Sequence, residues 1–108
     1  MKFSNFLDAR GKDPVSSFVA TLTSKERSKI DRYIRLIEEQ GIRIGEPYVG
    51  HIEGKIWEVR PGNYRILFFV EGDNWIATNV FRKKGQKTPE SEKHIARTRR
   101  DEWLKRHE

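Results

Sequence analysis

The spacing of apolar residues along the chain changes period, and each change marks a new element. Residues 2–8, KFSNFLD, alternate in part and run into the turn-forming ARGKD, which predicts a short first strand at a sheet edge. Asp13 then stands at an N-cap position before Pro14, and Val15, Phe18, Val19 and Leu22 recur at i, i+3, i+4 and i+7, the spacing of one helix face. Thr23 and Glu26 have capping-box spacing, so a second helix starts there, with Ile30, Tyr33, Ile34 and Ile37 as its apolar stripe and Gly41 as its stop. These two helices are expected to form a hairpin laid on a sheet.

The stretch after Gly41 reads as loop, and the period moves toward 2 only from Lys55 onward. KIWEVR, the turn Pro61-Gly62-Asn63, YRILFFV, the turn Gly72-Asp73 and NWIATNVF predict three antiparallel strands in a meander. Thr88-Pro89-Glu90 combines a cap, a first-turn proline and an acid that suits the helix dipole, opening a last helix to about Leu104. The order β-α-α-β-β-β-α makes an α+β fold, a small and mostly antiparallel sheet packed with helices. A length of 108 residues fits one domain, residues 1–108.

Charge changes the picture. Residues 82–108 hold ten Lys and Arg against five acids, whereas residues 1–81 hold twelve against eleven, so the excess of positive charge gathers in the last quarter. Such asymmetry suits a polyanion or an acidic protein partner. With no cysteine there is neither a disulfide nor a thiolate nucleophile. The charged N-terminal stretch and the lack of a long apolar run predict no secretory signal and no membrane span, and a cytoplasmic protein. His51, His94 and His107 lie far apart without metal-ligand spacing, and there is no phosphate-binding glycine loop, so neither a metal nor another cofactor is expected.

Strand parity places the cations. Glu58 and Arg60 should share one face of their strand opposite Trp57 and Val59, and Arg65 should stand opposite Tyr64 and Ile66. If pairing continues, Arg82 and Lys84 lie opposite Phe81, and one sheet face gathers Glu58, Arg60, Arg65, Arg82 and Lys84. Arginine and lysine around a carboxylate suffice for one reaction, cleavage of RNA through its own 2′-hydroxyl, because the sugar supplies the nucleophile. Guanidinium forks suit the phosphate oxygens, and Lys84 or Lys87, set among other cations, is a candidate proton donor. Arg65, inside an apolar strand, either pairs with Glu58 as a structural salt bridge or faces a functional cleft. Lys83, Lys84 and Lys87 taken alone could be a solvated strand end, and Trp57, Phe68, Phe69 and Trp75 read as core.

The segments 57-WEVRPGNYRILFFV-70 and 80-VFRKKGQKTP-89 resemble the signature of the HigB-like, phage-related branch of the RelE toxin superfamily. The similarity extends to GKDPVSSF at 11–18, EEQG at 38–41 and GEPY at 45–48, and so covers nearly the whole chain. The resemblance implies a RelE-like fold and the toxin of a type II toxin-antitoxin pair, a ribosome-dependent endoribonuclease that cuts A-site mRNA without metal and leaves a 2′,3′-cyclic phosphate. It implies as partners the ribosome, mRNA and a cognate antitoxin of the helix-turn-helix, HigA-like kind. By position it gives Arg65 the scissile phosphate, Lys84 the same transition state and Arg60 a basic position on the neighbouring strand. Arg82, Lys83, Lys87, Lys93, Arg97 and Arg100 are then expected to bind RNA and the ribosome. Many relatives carry an essential tyrosine or histidine near the C-terminal end, whereas no tyrosine follows Tyr64 here. Glu58, Glu53 and His51 are the candidates for general base, with Glu58 first because parity sets it beside Arg60. A non-catalytic basic domain that binds RNA, DNA or protein, a degenerate toxin, is the competing reading.

Overall fold

A computed structural model describes residues 2–107. The strands β1 (Lys2–Asn5), β2 (Val49–Glu53), β3 (Ile56–Val59), β4 (Tyr64–Glu71) and β5 (Asn74–Arg82) form one sheet in the spatial order β1-β5-β4-β3-β2. β1 runs parallel to β5 at the edge, and the other pairs are antiparallel. The helices α1 (Pro14–Val19) and α2 (Ser24–Gln40) cover one face, burying Val15, Ile30 and Ile37 against Val59, Ile66, Phe68 and Trp75. α3 (Glu90–Arg106) covers the other, where Ala96 and Trp103 meet Phe6, Ile56, Leu67 and Phe69. Apolar residues on both faces explain why YRILFFV reads as a nearly continuous hydrophobic run.

The starts of the first two helices follow the side chains that satisfy their free amides. The Ser16 amide donates to the Asp13 carboxylate at 2.9 Å, and the Thr23–Glu26 box is closed in both directions. β1 stops short of the expected residue 8. The Asp8 carboxylate accepts the amides of Arg10 and Lys12 at 2.8 and 2.9 Å and turns the chain away.

Two local features depart from the sequence reading. β2 was not expected, since VGHIE carries a glycine and a histidine in five residues and alternates poorly. It forms because β3 offers a partner, with Val49 opposite Val59 and His51 opposite Trp57, and Gly54 at φ +49° closes the hairpin. The second feature is a bulge in β5. Leu67 pairs with Asn79 but Phe68 with Ala77, so Thr78 is an extra residue. Its hydroxyl donates to the Leu67 carbonyl at 3.2 Å, and its own carbonyl accepts from Arg99 at 2.7 Å. The bulge reverses parity for the rest of the strand, so that Arg65 pairs with Phe81 and Tyr64 with Arg82.

Candidate active site

On the face that carries α3, the end of the sheet is left uncovered by apolar residues and holds charge instead. Glu58 is only 6% exposed. Arg60 Nε donates to its Oε2 at 2.8 Å, and Arg60 Nη1 reaches Glu46 at 3.2 Å. The guanidinium lies across Gly50, where a Cβ would stand 2.1 Å from Nη2. Glycine in a strand interior thus marks a close approach, and this one makes room for the Arg60–Glu58 pair. Gly50→Ala is therefore expected to displace Arg60 and, by breaking its charge-assisted bond to the buried Glu58, to lower the melting temperature. Thermal melting of the variant beside the parent checks this.

Arg65 does not pair with Glu58. Its Nη1 donates to the carbonyls of Gly62 at 3.0 Å and Tyr64 at 2.7 Å, which aims the guanidinium without neutralising it. Among the described residues its Nε and Nη2 have no hydrogen-bond partner. Burial pushes its pKa down, Glu58 works against that, and Arg60 adds to it. The cleft that Arg65 enters is lined by Glu58, Phe81, Lys83, Lys84, Lys87 and Thr88. β5 ends at Arg82, so Lys83 and Lys84 arrive on a loop whose start is fixed where the Lys83 amide donates to the Asn63 carbonyl at 2.7 Å. Thr88 does not cap α3. Its hydroxyl donates to Glu58 Oε1 at 3.3 Å, and Pro89 takes the cap position with no side-chain bond.

The start of α3, and with it the cation loop, is tied to the sheet at two points. Asn79 Nδ2 donates to the Glu92 carboxylate at 2.9 Å and to its carbonyl at 3.2 Å. Arg97 forks onto both Glu53 oxygens at 2.7 Å and reaches Glu90 at 2.8 Å. The Arg97 hydrogen bonds hold the Glu53 carboxyl below its ordinary value of 4.5. A depressed folded-state pKa means that the unfolded chain binds more protons, so this tie stabilises the fold above about pH 4.5 and is lost as pH falls through the lower folded value. Arg97→Ala should lower the melting temperature at neutral pH, and the gap to the parent should close on acidification, as thermal melts across pH would show.

The sequence model described as "Phage derived protein Gp49-like (DUF891)" matches residues 17–101, which takes in α2, β2 to β5 and most of α3. The chain belongs to this family. Among solved structures, the Gp49-like chain is similar to a chain of the archaeal RelE-RelB complex from Pyrococcus horikoshii OT3. The TM-score is 0.62 at 12% identity, over 79% of this chain and 97% of that one. The fold is therefore RelE-like, as the sequence resemblance implied. No curated protein matches the chain.

The Gp49-like site thus brings together Glu58, Arg60, Arg65, Lys83, Lys84 and Lys87. It does not hold Arg82, which the Thr78 bulge turns to the opposite face, where its guanidinium lies 5.8 Å from the Tyr64 ring. Nor does Arg97 offer charge to a ligand, since two carboxylates take up its donors. Arg100 lies half-buried over Phe69 at 5.8 Å, its Nε enclosed. Lys93 remains on the rim beside Arg60 and Lys87. Of the candidate bases, Glu53 is spent on Arg97, and the His51 ring packs on Trp57 at 4.6 Å, on the face away from Glu58. Sequence reasoning missed Thr88 and Gly50. The second left a signal, a lone glycine in a strand. Among the described residues no three His, Cys, Asp or Glu side chains cluster as metal ligands would.

No helix among the described residues is long and apolar enough to cross a membrane.

Proposed function

We propose that this protein is the toxin of a type II toxin-antitoxin pair, of the HigB-like kind, and that it cleaves mRNA in the ribosomal A site through the 2′-hydroxyl of the RNA. The observation that carries the reading is Arg65: a guanidinium anchored through one nitrogen on two carbonyls, its other donors without a partner among the described residues, lining a cleft that also holds a buried carboxylate and three lysines. An arginine so aimed is preorganised for charge on phosphate oxygens and needs no rearrangement as that charge grows.

In this mechanism the 2′-oxygen attacks the adjacent phosphorus, its proton passing to Glu58. The new O2′–P bond forms as the P–O5′ bond breaks, and Lys84 protonates the departing 5′-oxygen. The products are a 2′,3′-cyclic phosphate and a 5′-hydroxyl. Arg65 stabilises the phosphorane oxygens, Arg60 keeps Glu58 oriented, and Thr88 steadies its other oxygen. The reading assigns no metal or other cofactor to these steps. The ribosome holds the message in the in-line geometry that so small a site cannot impose alone. The similar chain comes from a RelE-RelB complex. By analogy the partner here is a cognate antitoxin, of the HigA-like kind that the sequence signature implies, and the setting is the cytoplasm.

Induced expression tests the reading. Growth should arrest and translated messages should be cut, with co-expression of the neighbouring antitoxin relieving both. Uncut messages in cells that accumulate the folded protein would favour the passive binding domain.

A further inference from the structure

We infer that the groove on the far side of the Pro61-Gly62-Asn63 turn is a second RNA-backbone site, in which Lys25 and Lys29, with Arg82 beside the Tyr64 wall, hold phosphates that flank the scissile one. It rests on the ribonuclease reading above and extends it from one bond to the path of the strand.

The groove lies between the first turns of α2 and the turn that joins β3 to β4, with Lys25, Glu26, Lys29 and Tyr64 along its walls. It shares that turn with the catalytic cleft. From one side Arg65 donates to the Gly62 carbonyl. On the other, the Lys29 side chain runs past Gly62, its Nζ 3.7 Å from where a Cβ would stand. Gly62 sits at φ +63°, a conformation that favours glycine, so the crest of the turn bears no side chain. A ribose-phosphate chain can cross it in close contact, with cations on both flanks.

The charge on this flank is available. Lys25, Lys29 and Arg82 make no ion pair among the described residues, whereas Arg60, Arg97 and Arg106 do. Glu26 is the one acid along these walls and offsets part of the Arg82 charge; its oxygens are turned to Thr23 and to the Tyr64 hydroxyl at 2.8 Å, so the two lysines keep their donors free of it. Lys29 lies over the Tyr33 ring at 5.9 Å, an arrangement that leaves its N–H donors unused. An acidic protein would need an apolar anchor as well. The one large exposed hydrophobic among the described residues, Leu7, lines a different groove beside Trp103. Cations that follow a turn without such an anchor suit a nucleic-acid backbone.

The test compares the parent with Lys25→Gln/Lys29→Gln, which keeps most of the apolar stems, on two uncleavable ligands. One is a single-stranded RNA decamer with 2′-O-methyl riboses. The other is the corresponding dinucleotide, with one phosphate, followed by NMR. The double variant should bind the decamer about tenfold more weakly, and its log–log salt slope should fall by about 0.7 for each phosphate that is no longer neutralised. Dinucleotide binding should stay near the parent value. Unchanged decamer affinity and slope, an equal loss for the dinucleotide, or no decamer binding by the parent at low salt would overturn the inference. A decamer-specific loss in a protein that cuts no message would uphold the groove and remove the ribonuclease reading.

Discussion

Replacing Arg65 with alanine is expected to lower the single-turnover cleavage rate by roughly 100- to 1,000-fold, the range for removing one preorganised charge donor from a transition state. Stability should change far less. The side chain gives up hydrogen bonds to the Gly62 and Tyr64 carbonyls, at a net cost of about 1 kcal/mol each, and both carbonyls can turn to water at this half-exposed position. Arg65→Lys should recover little, because one ammonium cannot hold the turn and a phosphate fork together. Thermal melting and single-turnover kinetics on the same samples decide the matter. Parent activity without Arg65 would remove it from the site, and a collapse of the fold would make it a structural residue.

Glu58→Gln should cost roughly 100- to 10,000-fold in the same rate, the span usually seen when a general base is removed. Glutamine keeps the shape, and with its carbonyl oxygen accepting from Arg60 its amide nitrogen can donate to the Thr88 hydroxyl, so the cleft should survive. What is lost is the charge on a residue only 6% exposed, and with it a charge-assisted bond to Arg60 that contributes roughly 1.5–3 kcal/mol. The variant should therefore melt lower than the parent yet bind uncleavable RNA as well or better, since a carboxylate near the phosphate is gone. An unchanged rate would pass the role of base to another group.

Much of this arrangement is written in local sequence. Asp13, the Thr23–Glu26 box and the Pro61-Gly62-Asn63 turn each satisfy backbone groups within a few residues, so they can be read without knowing what packs on them. Arg65 among apolar neighbours signalled a special environment for the same local reason. The rest depends on partners distant in the chain. β2 is a strand because β3 lies beside it, and its own five residues say little. One extra residue at Thr78, held by Leu67 and Arg99, turns Arg82 away from the cleft, and alternation counted along β5 cannot reveal it. Thr88 carries the spacing of a helix cap but spends its hydroxyl on Glu58, thirty positions away. Arg97 has the composition of a docking cation and the geometry of a tie between α3 and β2.

The central claim, that this site cuts a ribosome-held message through the RNA's own 2′-hydroxyl, is tested most directly by end-group analysis of a single-turnover reaction. Purified protein is mixed with ribosomes carrying a defined codon in the A site, and in parallel with the same message free in solution. The account predicts fragments ending in a 2′,3′-cyclic phosphate and a 5′-hydroxyl, formed at least about 100-fold faster on the ribosome, and none from a message with a 2′-deoxy residue at the cut position. Fragments ending in a 3′-hydroxyl and a 5′-phosphate, or cutting that persists without the 2′-hydroxyl, would contradict it.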